Sequence, residues 1–144
     1  MSQENVELVM LLQPGPGEDL VPRLRDEVEI QTTLALAAEY FHPDVETVHR
    51  MLGAERTYVG IGGLFESWRD WLVPWVSYRS DVVEAIDCGE RVLMIVDDYG
   101  RQAGSAVEVK SNNAAIWTIR DRLVVRAEFY VDRERARTDA GLAP

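Results

Sequence analysis

Apart from a strand-like stretch at 45–50, hydrophobic positions follow a helical spacing up to about residue 73 and an alternating one after residue 78. Residues 5–12 are apolar-rich and predict one or two helical turns, stopped by Pro14-Gly15-Pro16-Gly17, which cannot continue a helix. Asp19 is placed to cap a second helix over 21–41. There Leu24, Val28, Ala35 and Ala38 form one stripe, and Ile30, Leu34, Ala37 and Phe41 form another. Pro43 ends that helix, because the residue before a proline is pushed out of the α region. A strand over 45–50 sets Val45, Thr47 and His49 on one side, and 51–56 is a loop. The next helix, 64–73, carries Leu64, Trp68, Trp71 and Leu72 on one face, with Gly62 and Gly63 at its entrance and Trp75 just past Pro74.

Strands over 78–86 and 91–99 are joined by the turn Asp87-Cys88-Gly89-Glu90. Apolar residues on both faces of 92–96 mark a strand covered on both sides. GRQAG, 100–104, makes the following turn. The stretch 105–120 is long for one flat strand, and Ser111-Asn112-Asn113 is the expected place for a bulge. A last strand, 123–131, leads to a short helix capped by Asp132, with Glu134 in its first turn and Gly141 as its stop. No repeat or linker interrupts the chain, so residues 1–144 are read as a single domain.

Composition narrows the function classes. A chain of 144 residues buries about 70% of its extended surface. With 47% hydrophobic and 8% aromatic residues it is globular material, not a disordered segment. A formal charge of −10 argues against nucleic-acid or anionic-membrane partners, which need a basic face. Cys88 is the sole cysteine, and the start MSQENVELVM has neither the basic n-region nor the apolar core of a secretory signal. Together they set the expectation of a cytoplasmic, reducing location. Two histidines and one cysteine without close spacing predict no metal site.

The order of YVGIGGLFESWRDWLVPW, IWTIRD, VVRAEFYVDRERA and the terminal AGL, with YFHPDVE before them, resembles the SnoaL-like branch of the nuclear-transport-factor-2-like superfamily. The PGPG insertion departs from that pattern. The resemblance implies an α+β fold, cone-shaped, with helices packed on a curved and mainly antiparallel sheet around an apolar pocket. It also implies a homodimer formed through the outer sheet face. The superfamily includes polyketide cyclases, ketosteroid isomerase, limonene epoxide hydrolase and proteins without catalytic activity, so fold leaves chemistry open. Ketosteroid isomerase pairs a carboxylate base with an oxyanion hole of tyrosine and neutral aspartic acid. Its base position falls on His49 here, and its acid position on Ala115, which has no hydrogen to donate. That activity is excluded as a set.

Candidate chemistry then turns on one register. If Asp121 and Arg122 form a two-residue turn, Ala115 opposes Glu128 and Trp117 opposes Arg126, with Tyr130 on the same face. Arg122 stands where relatives carry glycine, and arginine disfavours the positive φ of such a turn. If Ala115 faces the pocket, Glu128 and Tyr130 do so too, and a carboxylate beside a phenol in an apolar cone would have a raised pKa. The alternative puts this face outside, with Glu128 and Arg126 in water and Trp117 in a dimer contact. His49 is either a neutral base in the cavity or a merely hydrogen-bonded histidine. Trp68 and Trp71 serve as pocket walls or as plain core, and Tyr58 and Tyr78 as pocket hydroxyls or as strand-edge packing. Asp97 and Asp98 point to opposite faces, so they form no dyad, and only Asp98 shares the face of Val92, Met94 and Val96.

The leading expectation is a protein that binds a small hydrophobic molecule, with cofactor-free acid/base chemistry of the isomerase or cyclase kind. Glu128 is the proton-transfer group, assisted by Tyr130 or His49. Tyr58, Trp68, Trp71, Tyr78, Asp98, Ala115 and Trp117 contact the ligand. The rival expectation is a non-catalytic binding or association domain.

Overall fold

A computed structural model describes residues 2–50 and 54–142, Ser2 by its backbone alone. Three helices open the chain: α1 (Ser2–Leu12), α2 (Leu20–Arg23) and α3 (Glu27–Tyr40). Strands β1 (Phe41–Arg50) and β2 (Arg56–Val59) lead into α4 (Gly60–Leu72). Then follow β3 (Trp75–Cys88), β4 (Arg91–Gln102), β5 (Glu108–Arg120), β6 (Leu123–Tyr130) and the closing helix α5 (Arg133–Asp139). The strands form one curved, unclosed sheet in the order β2-β1-β6-β5-β4-β3, antiparallel except where β1 runs parallel to β6. The α+β architecture is therefore as the sequence implies.

The helix expected over 21–41 is two helices. Pro22 lies in the short first one, and Asp26 restarts the chain by accepting hydrogen bonds from Val28 N and Glu29 N. Of the two expected stripes, the first fails in α3, where Val28, Ala35 and Ala38 are exposed, whereas in the second Ala37 and Phe41 are buried and Leu34 packs against the core. Asp19 caps α2 through Val21 N at 3.0 Å and also accepts from Tyr78 N at 3.1 Å, which ties this corner to β3. Gly100 sits inside β4, not in the turn after it. The Trp75 ring lies so close that a Cβ at position 100 would come within 2.5 Å of it.

The expected bulge at 111–113 is absent, since β4 pairs with β5 without interruption from Arg91↔Thr118 to Arg101↔Glu108. The irregularity falls instead in the last hairpin. Asp121 and Arg122 do make the two-residue turn, both at positive φ (51° and 64°), and Ile119 pairs with Val124. Beyond that point Thr118 pairs with Arg126, so Val125 is an extra residue in β6. This one-residue slip moves every later β6 side chain to the other face. Ile116, not Ala115, opposes Glu128, and Ala115 opposes Phe129.

Two cores result. On the concave side, Val45, Met94, Val96, Ala115, Trp117 and Phe129 pack against Val9 of α1 and Leu64, Trp71 and Leu72 of α4. On the outer side, Leu93, Ile95, Ile116 and Tyr130 pack under Ala136 and Ala140 at α5.

Candidate functional site

The concave side encloses a cavity of about 460 Å³. Val96, Asp98, Asn113, Ala115, Trp117 and Phe129 form its sheet wall, and Leu64, Phe65 and Trp68 of α4 form a second wall. The end of α1 with the Pro-Gly loop, and the Thr33–Tyr40 side of α3, complete it. Leu11 and Leu36 line the cavity while being 64% and 56% exposed, which places its mouth between α1 and α3.

The sheet wall of the cavity is apolar except where β3, β4 and β5 meet. Asp98 is 2% exposed there, and its Oδ2 accepts from the Tyr78 hydroxyl at 2.6 Å and from Asn113 Nδ2 at 2.8 Å. Its Oδ1 is buried with no hydrogen-bond partner among the described residues. Burial pushes the Asp98 carboxyl up from its ordinary range, and the hydrogen bonds from Tyr78 and Asn113, with the cross-strand neighbour Ser80, only partly offset this. Burial and then the Asp98 charge drive the Tyr78 phenol upward too, so it stays a donor. Tyr78 is itself held in ring contact with Trp68, Trp71 and Trp75. A carboxyl of this kind suits proton transfer, because it can hold or take a proton closer to neutrality than an ordinary aspartate.

Of the residues singled out in the sequence, Trp68, Asp98, Ala115 and Trp117 line the cavity. Tyr78 stands behind it as the partner of Asp98, and Trp71 supports Tyr78. Tyr58 is elsewhere, its hydroxyl donating to Asp70 at 2.8 Å on α4. His49 is buried among the rings of Tyr58, Trp68 and Phe129 without lining the cavity, and its Nε2 has no partner among the described residues. Burial lowers its pKa to about 4, so it is a neutral core histidine at ordinary pH.

Glu128 and Tyr130 are brought together, but on the outer face, because the bulge at Val125 turns them there. Arg50 Nη1 reaches Glu128 at 2.5 Å, and Arg126 Nε stands 3.5 Å from its other oxygen. Tyr130 donates to Asp139 at 2.8 Å and accepts from Arg50 at 3.2 Å. This paired network closes α5 onto the sheet. Asp97 is outward as well, held below the usual carboxylate range by the hydrogen bond from Arg133 at 2.7 Å. Asn113 and Ser80 were not singled out in the sequence. Asn113 stands two residues before Ala115 and shares its face, which the bulge expected at 111–113 concealed.

A curved six-stranded sheet, helices over its concave side and a pocket between them define the nuclear-transport-factor-2-like α+β fold, the fold of the SnoaL-like proteins. The chain superimposes on a protein described as a SnoaL-like polyketide cyclase from Jannaschia sp. CCS1 with a TM-score of 0.70 and 16% identity, over 99% of this chain and 95% of that one. An NTF2-like protein of unknown function from Burkholderia pseudomallei K96243 gives 0.63 and 16%, over 94% and 95%. TerC, co-crystallised with polyporic acid, gives 0.57 and 23%, over 77% and 96%. No protein-family model matches the sequence, and no curated protein matches it.

Proposed function

We propose that this chain binds a small, largely apolar molecule in the concave cavity and that Asp98 exchanges a proton with it. The observation that carries this reading is a buried carboxyl at the wall of a largely apolar cavity, with one oxygen held by Tyr78 and Asn113 and the other without a hydrogen-bond partner among the described residues. Unsatisfied buried polar atoms are rare in folded proteins and call for a partner. A ligand carbonyl accepts from the neutral carboxyl, and an acidic C–H or O–H gives its proton to the ionised one. A single carboxyl suffices for an isomerisation: it takes a proton from one carbon, leaving an enolate, and returns it to another carbon. Tyr78 and Asn113 fix the carboxyl's orientation in both states. The complex of TerC with polyporic acid supports a small-molecule ligand within this fold.

The test is a thermal-shift screen with apolar ketones, polyketide-like aromatics and steroids on the wild type, Asp98→Asn and Glu128→Gln. Stabilisation is expected in the wild type and Glu128→Gln alike, and weakened in Asp98→Asn. A full screen without any shift removes the ligand, and a shift lost only in Glu128→Gln returns the chemistry to the outer face.

A cytoplasmic homodimer remains part of this reading. No described helix is long and apolar enough to cross a membrane. Helix α5 covers the centre of the outer face, and Val83, at the irregularity of β3 opposite the outward Ile95, is an exposed apolar residue beside it. Sedimentation of the wild type against Val83→Asp tests whether this face joins two copies.

A further inference from the structure

Among the described residues, the cavity lining holds a single cationic side chain, Arg23 at the end of α2. It is paired with Glu18, which lines the cavity too, through Nη2 and Oε1 at 2.5 Å. Both side chains are half-buried. Their neighbour Arg25 is committed to structure, donating to the carbonyls of Leu72 and Trp75 at 3.2 Å each. Arg23 donates to no backbone group among the described residues. A guanidinium carries five N–H donors in a planar fork, and one contact to Glu18 leaves most of them unused. Glu18 is imperfectly satisfied as well, since its Oε2 is buried without a partner. An arginine kept beside an apolar cavity in a chain of net charge −10 calls for a local anion.

From this placement we infer that Arg23 is the specificity-determining residue of the cavity and that it selects apolar molecules bearing one anionic group, a carboxylate, sulfonate or acidic enol. The inference rests on the ligand-binding reading above and adds the class of ligand. The apolar body lies between the sheet and α4, and the anion takes the free side of the Arg23 fork. Glu18 acts as the resident counter-ion that an incoming anion competes with, which keeps the empty site neutral. Neutral molecules of the same shape gain only the apolar contacts.

Anilinonaphthalene sulfonate and phenylnaphthylamine share a ring skeleton and differ by the sulfonate, so their fluorescence titrations isolate the anion. The wild type is expected to bind both and to prefer the sulfonate. Arg23→Gln should weaken the sulfonate by about three- to tenfold, the range of a charge-assisted contact discounted for partial exposure. The neutral probe should stay within about twofold. Arg23→Lys should keep most of the preference, and Glu18→Gln should strengthen sulfonate binding by about threefold. Thermal melts of each variant separate lost folding from lost recognition. Equal losses for both probes in a folded Arg23→Gln, or sulfonate that the neutral probe cannot displace, would overturn the assignment of Arg23. Failure of the wild type to bind either probe would overturn the ligand-binding reading along with it.

Discussion

The two faces of the sheet carry the same residue types and put them to different use. Outside, Glu128 and Tyr130 sit within a lattice of opposite charges from Arg50, Arg126 and Asp139. Inside, Asp98 and Tyr78 are joined by one short hydrogen bond, and no cation among the described residues faces the carboxyl. The second arrangement raises the Asp98 pKa, because burial there is not offset by a counter-charge. A carboxylate next to a phenol is therefore no signature of chemistry by itself. What decides is whether a guanidinium reaches it.

The largest difference between the faces should come from acid. His49 belongs to the concave side, and its pKa of about 4 lies below the unfolded value of 6.5. The folded state then binds fewer protons than the unfolded chain between these values. Stability should fall by about 3 kcal/mol as pH drops from 6.5 to 4. Urea unfolding across that range checks this, and His49→Gln should flatten the slope. On the outer face, Arg50→Met should cost about 2 kcal/mol by stranding Glu128, with Arg126 supplying partial compensation. Adding Glu128→Leu should recover most of that loss. If Arg50→Met costs nothing, the outer network is not what holds α5.

Asp98 has the opposite pH sign to His49. Its folded pKa is raised, so the folded state keeps its proton longer, and stability should decline as pH rises above about 4, the unfolded carboxyl value. Asp98→Asn should thus melt higher than the wild type at pH 8 and lose that advantage toward pH 4. The smallest effect belongs to the hairpin that sets the faces. Asp121 and Arg122 both occupy the left-handed region, so an Asn-Gly replacement should stabilise by about 1 kcal/mol and leave the register unchanged. Unfolding curves of the double variant measure it.

The order of elements from α4 onward, the Asp132 cap, the Asp121-Arg122 turn and the opposite aims of Asp97 and Asp98 were legible, since each follows from local spacing or turn chemistry. The face of Glu128 was not. A bulge adds one residue without disturbing the alternation around it, and Leu123-Val124-Val125 offers three apolar residues in a row with no mark of which is extra. Everything inferred across the hairpin was inverted by that residue. Asn113 was hidden by the mirror-image error, a bulge expected where the ladder is continuous.

Carbon-13 spectra of aspartate and glutamate side-chain carboxyls, recorded with and without an apolar ketone that shifts the melting temperature, test the division of labour most directly. Asp98 is expected to titrate above the ordinary carboxyl range and to move on ligand addition, while Glu128 stays in place. A ligand that moves Glu128 and leaves Asp98 untouched would contradict the account.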